Sequence, residues 1–366
     1  MEKLYDITID ARMINHSGIG TYIKNMIPDL VKSYKIALLG SREKLVKYGW
    51  ANETEIIETD FPIYSISEQL FIPGLIPESR LFITPHYNVP LGKIPAAKRI
   101  SVIHDVNHLV FIDQLSIVKK VYARYMINSA IKKSDKILTV SSFSKNEILK
   151  YTGIPEQKLK VIHCGLDIGE IAAMAEKITL REIRDKYLLP EEYYVYVGSS
   201  KPHKNLITAL KAFSKFEKKY TGKKLLLVGV KKDHFYKNEE YLKFSNFVEL
   251  PGYITDTDLP AVYKNATALV FPSVYEGFGL PPIEAMCCGC PVISSNSASL
   301  PEVCGNAVLF FDPFETEQLE YNLIKVENDK KIVTQLIDSG YMNIKRFDRN
   351  IFSEKLKEEF DSIIFP

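Results

Sequence analysis

The sequence predicts an α/β chain of two doubly wound, Rossmann-like domains with parallel sheets, facing each other across an interdomain cleft. Three observations predict it. Short apolar runs alternate with amphipathic ones in both halves of the chain. A strong strand signal restarts after a charged stretch between Glu170 and Glu192. The length, 366 residues, is large for one core and comfortable for two.

In the first half, Lys98–Ile103 reads as a buried strand that ends at His104-Asp105. Val118, Val121, Tyr122, Tyr125 and Met126 follow at helical spacing and predict a helix. Lys136–Val140 is the next strand. Ser144-Lys145-Asn146-Glu147 has the capping-box pattern that opens a helix, and Gly153 with Pro155 stops it. The junction falls at Gly165–Asp167. The second half begins with the strand Tyr193–Val197, a helix over about 206–220 and the strand Lys224–Val228. Ala268–Phe271, Pro291–Ser294 and Ala307–Phe311 supply further strands, and helices finish the chain. Parallel sheets bind ligands at the carboxyl ends of their strands, which would line the cleft.

Composition excludes some functions. A net charge of +2 gives no reason to expect nucleic acid as a partner. The start, Met1-Glu2-Lys3-Leu4-Tyr5-Asp6, carries acids where a signal peptide needs an apolar run, and no stretch reaches bilayer-spanning length, so a cytoplasmic location is expected. Cys287, Cys288 and Cys290 cluster, but no second Cys/His pair follows at zinc spacing, so buried thiols in a reduced compartment are expected.

The most informative segment is Tyr275-Glu276-Gly277-Phe278-Gly279-Leu280-Pro281-Pro282-Ile283-Glu284-Ala285. It follows an apolar strand. Its glycines admit close backbone approach, and its prolines suit a first helical turn. A helix N-terminus favours a pyrophosphate, and Glu284 in the opening turn can accept two hydrogen bonds from a ribose diol. Glu276 lies nearer the loop tip.

The E-x7-E spacing from Glu276 to Glu284 resembles the signature of family 4 retaining glycosyltransferases, which have the GT-B fold. Gly198-Ser199-Ser200-Lys201-Pro202-His203-Lys204-Asn205 resembles that family's phosphate-binding turn, and Gly18-Ile19-Gly20-Thr21-Tyr22 its first-domain glycine loop. Pro85-His86-Tyr87-Asn88-Val89-Pro90, His104-Asp105 and Val140-Ser141-Ser142-Phe143-Ser144 fall in the family's order, so the resemblance spans nearly the whole chain.

The resemblance implies an acceptor-side domain at 1–165, a nucleotide-sugar-binding domain at 166–345, and a C-terminal helix at 346–366 packed back on the first domain. It implies that Glu284 holds the donor ribose and Glu276 contacts the transferred sugar. Phe278, Gly279 and Leu280 would lie against the donor, the first two offering backbone N–H groups. Lys204 would neutralise diphosphate charge as the glycosidic bond breaks. Ser199 stands where many relatives have arginine, and Lys201 is the residue expected to supply that charge, with Gly198 shaping the turn. His104 would contact the sugar near its reacting face, Asp105 would orient it or cap the next segment, and His86 would face the acceptor. Gly18 and Gly20 would bring backbone close to donor phosphate or acceptor hydroxyl.

The implied reaction is metal-independent hexosyl transfer with retention, without a cofactor. The donor is a nucleotide sugar, GDP-mannose first and UDP- or dTDP-sugars next. The acceptor is a glycan or lipid-linked sugar, because the combination of motifs is most similar to mannosyl- and rhamnosyltransferases of surface-polysaccharide assembly. Lys119-Lys120 and Lys132-Lys133 could then touch a membrane surface peripherally. The alternatives are a glycoside hydrolase, a nucleotide-sugar epimerase and a non-catalytic sugar-binding protein.

Overall fold

A computed structural model of the chain describes residues 4–114 and 116–365. The acidic start read at Met1–Lys3 lies outside them. The chain divides into two compact units, Met1–Leu166 with Phe347–Pro366, and Asp167–Arg346.

The first unit has a seven-stranded, all-parallel sheet in the order β3-β2-β1-β4-β5-β6-β7. Its strands are β1 (Tyr5–Asp10), β2 (Ile36–Gly40), β3 (Glu55–Glu58), β4 (Ser79–Thr84), β5 (Ala96–Val102), β6 (Lys136–Thr139) and β7 (Leu159–Val161). The central strands are apolar nearly throughout because helices cover both faces. Ile7, Ile9, Leu81, Phe82 and Ile83 are all fully buried. The C-terminal helix Arg349–Ile364 belongs to this unit and packs on helix Ile19–Leu30, with Ser353 Oγ 3.1 Å from Asp29 Oδ2. The backbone explains why the crossing back is tight: a Cβ on Gly165 would lie 2.4 Å from Phe352 Cβ.

The second unit has a six-stranded parallel sheet in the order β10-β9-β8-β11-β12-β13. These strands are β8 (Tyr193–Val197), β9 (Lys224–Val228), β10 (Val248–Glu249), β11 (Leu269–Phe271), β12 (Val292–Ser295) and β13 (Leu309–Phe311). Both sheets reverse their strand order beside the first strand of the unit, the point at which doubly wound sheets open a crevice.

One local expectation is corrected. The helix expected to open at Ser144 is Ser142–Thr152, and its cap is Ser141, whose side chain accepts the Ser144 N–H at 3.0 Å. Ser144 lies instead in the first turn, where its hydroxyl donates to the His104 carbonyl at 2.8 Å. The helix Ile117–Lys133 forms, but it buries Ala123, Met126, Ile127 and Ala130. Val118, Val121 and Tyr125 face solvent, at 78%, 64% and 56% exposure. Among the described residues no helix is long and apolar enough to cross a membrane.

Candidate functional site

In the second unit the chemistry-bearing residues collect at the carboxyl ends of β8, β11 and β12. After β8 the chain turns through Gly198–Asn205. Buried Tyr196 fixes this turn by donating its hydroxyl to the Ser199 carbonyl at 2.7 Å, and Gly198 N–H donates to Val228 O at 2.9 Å. A Cβ on Gly229, whose φ is +87°, would come 2.9 Å from Gly198 O, so the turn depends on that glycine as well.

Asn205 closes the turn in the left-handed region at φ +52°, which asparagine tolerates better than most residues. Its Nδ2 donates to Pro272 O at 3.1 Å and Pro313 O at 2.7 Å, while Thr208 Oγ1 donates to its Oδ1 at 2.9 Å. The turn is thereby stitched to the ends of β11 and β13. Val274 N–H also donates to His203 O at 2.8 Å, which ties it to the E-x7-E segment.

These ties bring Lys204 to Glu276. Their Nζ–Oε1 distance is 2.6 Å, with both side chains largely buried. The loop that carries Glu276 is pinned from behind by Ser299, whose hydroxyl lies 2.9 Å from Glu276 O and 2.8 Å from Phe278 O. Gly279 has φ +99°, and a Cβ there would lie 2.7 Å from Leu300 Cδ2. Gly279 is the N-cap of helix Leu280–Cys287, and no side chain caps that end. Pro281 and Pro282 have no N–H to offer, so of the N–H groups the helix itself leaves without a backbone acceptor only those of Gly279 and Leu280 are there, with the dipole end, for an anion. Glu284 sits one residue beyond the opening turn, half-buried, with the buried Tyr263 hydroxyl 3.2 Å from Oε2. Burial, then the Glu284 charge, push the Tyr263 phenol up, so it stays a donor at any ordinary pH.

The other expected residues of this unit are placed as follows. Ser199 is half-buried, with its carbonyl taken by Tyr196. Lys201 is exposed on the turn. Ser200 Oγ lies 2.9 Å from His234 Nδ1, a contact across β8 and β9 that sequence gave no means of seeing. Cys287, Cys288, Cys290 and Cys304 are buried and free; burial pushes the thiols of Cys287, Cys290 and Cys304 up to about 12. Among the described residues no three His, Cys, Asp or Glu side chains converge as a metal set. One Asp-x-Asp pattern does occur, Asp256-Thr257-Asp258, but Asp258 is buried and accepts from Lys186 Nζ at 2.6 Å and Tyr187 Oη at 2.5 Å.

In the first unit, His104 follows β5. Its Nε2 lies 2.9 Å from Pro85 O, a contact that requires the proton on Nε2 and leaves Nδ1 as an acceptor. Burial lowers its pKa, so the ring is neutral near pH 7. Tyr22 packs edge-on against it at 5.1 Å. Asp105 caps the next turn, with Oδ1 accepting the Asn107 N–H at 2.8 Å.

Gly18 is exposed at the start of helix Ile19–Leu30, with φ +35° and open space where a Cβ would stand. Gly20 differs from its expected role. Its N–H is spent on His16 O at 2.7 Å, and a Cβ would lie 2.4 Å from Ile14 O, so it is a packing glycine inside the unit. His86 is likewise buried, not presented to an acceptor. Its Nδ1 accepts the Asn88 N–H at 3.0 Å and its Nε2 lies 3.5 Å from Asp10 Oδ2.

Sequence reading missed the buried charges around His86. Arg12 bridges Asp10, at 2.6 Å to Oδ2, and Glu68, at 2.6 Å to Oε1, with all three side chains almost wholly buried. The available signal was an acid closing an apolar strand in Tyr5–Asp10; its partner Glu68 is too distant in sequence to infer.

Known proteins share this architecture. Residues 180–342 match the family described as glycosyl transferases group 1, and residues 80–170 match glycosyltransferase family 4. The O-antigen chain mannosyltransferase B of Escherichia coli is 31% identical over 56% of this chain and 56% of its own length. The O-antigen chain mannosyltransferase RfbU of Salmonella typhimurium is 28% identical over 68% of this chain and 65% of its own. The chain thus spans about half to two thirds of the length of these two relatives. Among solved structures, a glycosyltransferase from Rickettsia africae covers 99% of both chains with a TM-score of 0.74 at 18% identity. Anabaena HepE, solved with UDP-glucose, covers 98% of this chain and all of its own with a TM-score of 0.76 at 15% identity. The two family matches stand in tandem along two parallel-sheet units of GT-B type, and the chain is similar to glycosyltransferases over both.

Proposed function

We propose that the chain transfers a hexose, mannose from GDP-mannose, to a glycan or lipid-linked acceptor, with retention and without a bound metal. The observation that carries this is the Lys204–Glu276 pair beside the uncapped, Gly279-opened helix that bears Glu284. Lys204 and the helix end are positive where a departing diphosphate accumulates negative charge. Glu284 accepts from the ribose, and Glu276 with the Phe278, Gly279 and Leu280 backbone orients the hexose. Gly198, Ser199 and Lys201 flank the diphosphate on the opposite turn. His104 presents an unprotonated Nδ1 to a sugar hydroxyl, and Gly18 leaves backbone accessible at the first unit's edge. Mannose is favoured because the relatives named above are mannosyltransferases by name. A UDP-sugar is the second reading, favoured by the HepE complex with UDP-glucose.

The experiment is a transfer assay with GDP-mannose, UDP-glucose and dTDP-rhamnose, using mannose-terminated oligosaccharide acceptors with and without a chelator. Mannosyl transfer that gives the α-anomer and survives the chelator is expected. A β-linked product would sink retention, loss of turnover with chelator would sink metal independence, and transfer from UDP-glucose alone would move the donor.

A peripheral membrane site at a cytoplasmic surface belongs to the same proposal. Ile117, Val118 and Val121 are each more than 60% exposed on the helix that carries Lys119 and Lys120. An apolar face fringed by lysines suits anionic lipid headgroups. Lys119→Glu with Lys120→Glu is expected to weaken sedimentation with phosphatidylserine vesicles by at least ~10-fold. Equal sedimentation of the variant would count against contact.

A further inference from the structure

Three tyrosines of the first unit, of which only Tyr87 belongs to a sequence motif, form a cluster that the donor site does not use. The Tyr64 ring lies 6.2 Å from those of Tyr87 and Tyr122, and His108 stands edge-on to Tyr87 at 5.7 Å. Tyr64 is 47% exposed, and its backbone has φ +67°. A bulky residue in the left-handed region costs on the order of 1–2 kcal/mol and persists only where its surroundings impose it.

The surroundings that impose it are buried. Ser65 caps helix Ile66–Leu75, and Glu68 of that first turn reaches back so that its Oε2 accepts the Tyr64 N–H at 2.8 Å. The same oxygen accepts Asn88 Nδ2 at 2.6 Å, and Asn88 Oδ1 accepts the Tyr122 hydroxyl at 2.6 Å. Arg12 neutralises Glu68 through Oε1 and is itself held by Asp10 at the end of β1. One network of fully enclosed charges thus sets the Tyr64 backbone and the Tyr122 phenol together. The network holds Tyr64 in that strained backbone with the residue 47% exposed.

The location is suited to a ligand. Asp10 ends β1, Pro85 to Asn88 and His104 follow the carboxyl ends of β4 and β5, and His104 Nε2 bonds to Pro85 O, two residues before Tyr87. Aromatic faces take the C–H face of a pyranose ring, and phenol hydroxyls with the Asp105 carboxylate take its equatorial edge.

We propose that Tyr64, Tyr87 and Tyr122 form an acceptor subsite that stacks one pyranose unit of a glycan, with Glu68 and Asn88 as its positioning residues. The subsite rests on the glycan-acceptor reading above and adds where the first unit grips that glycan. It makes Tyr64 the specificity-determining residue for the sugar next to the one being extended.

The test uses the full chain with mannotriose and GDP as separate probes. Saturation-transfer NMR and titration are run on wild type, Tyr64→Phe and Tyr64→Asn. Asparagine keeps the left-handed backbone and removes the ring, whereas phenylalanine keeps the ring. Wild type and Tyr64→Phe are expected to bind mannotriose within about threefold of each other, and Tyr64→Asn about 10-fold more weakly. GDP affinity is expected to be equal in all three. Equal mannotriose binding by Tyr64→Asn would overturn the subsite, as would absence of mannotriose binding in a wild type that binds GDP. If GDP fails to bind while mannotriose binding still depends on Tyr64, the transferase reading falls and the subsite stands.

Discussion

Replacing Lys204 with alanine is expected to reduce kcat by about 10²–10³, with a smaller change in acceptor KM. The reason is geometric. Asn205 and the Val274–His203 backbone bond fix the turn that carries Lys204, and Glu276 holds its ammonium, so under the proposed function the charge is preorganised where leaving-group charge would appear. Preorganised charge counts for most where water is displaced, and both Lys204 and Glu276 are largely buried. Lys204→Arg is expected to recover part of the loss, since the charge returns without its compact shape. The check is steady-state kinetics with the same sugar donor for each variant. A Lys204→Ala protein that is folded and within about threefold of wild type would remove lysine from the mechanism.

Arg12→Met is expected to destabilise the first unit by about 3–5 kcal/mol, because it strands two carboxylates in an apolar interior. Neither Asp10 nor Glu68 has solvent to fall back on. Burial works to raise the Asp10 pKa, but the Arg12 charge and hydrogen bonds, helped by His86, outweigh it and hold the carboxyl well below the usual range. The folded value lies below the unfolded one, so this contribution is complete above the ordinary aspartate range and is lost as pH falls toward the folded value. Denaturant titrations of wild type and Arg12→Met at pH 7 and at pH 4 check both points. The gap between the proteins should narrow at the lower pH, because without Arg12 the buried Asp10 carboxyl of the variant is relieved by taking up a proton. Adding Asp10→Asn and Glu68→Gln to Arg12→Met should recover much of the stability, since no buried charge is then left unpaired. A single Arg12→Met variant within about 0.5 kcal/mol of wild type would contradict the account, that margin being the size of an ordinary surface substitution's effect.

The strands were the legible part of the fold. Tyr193–Val197 and Lys224–Val228 are continuous apolar runs, as strands covered on both faces must be, and they form β8 and β9 with those bounds. Helix faces were less legible. The spacing of Val118, Val121 and Tyr125 is helical, but spacing does not say which stripe meets the core. Here the smaller stripe of Ala123, Met126, Ile127 and Ala130 does. The Ser144 pattern misled because a Ser-rich run offers several caps, and Ser141 takes the role.

For the candidate site, local motifs pointed to the E-x7-E segment and the Gly198–Asn205 turn, which the structure joins through the Lys204–Glu276 pair. What could not be read were partners far apart in sequence. Ser299 holds the Glu276 loop from 23 residues away, and Glu68 meets Arg12 across 56 residues. Gly20 shows the opposite difficulty, since a glycine needed for packing and one needed for a ligand look alike in a motif.

The central claim is that the second unit holds a nucleotide-sugar donor through Glu284 and Lys204. Isothermal titration of the full chain with GDP, GDP-mannose, UDP and UDP-glucose, repeated on Glu284→Ala and Lys204→Ala, tests it most directly. Saturable binding of one nucleotide series is expected, weakened by about 10-fold or more in Glu284→Ala through the lost ribose hydrogen bonds and in Lys204→Ala through the lost diphosphate contact. No binding of any nucleotide by wild type, or binding that both variants leave unchanged, would contradict it.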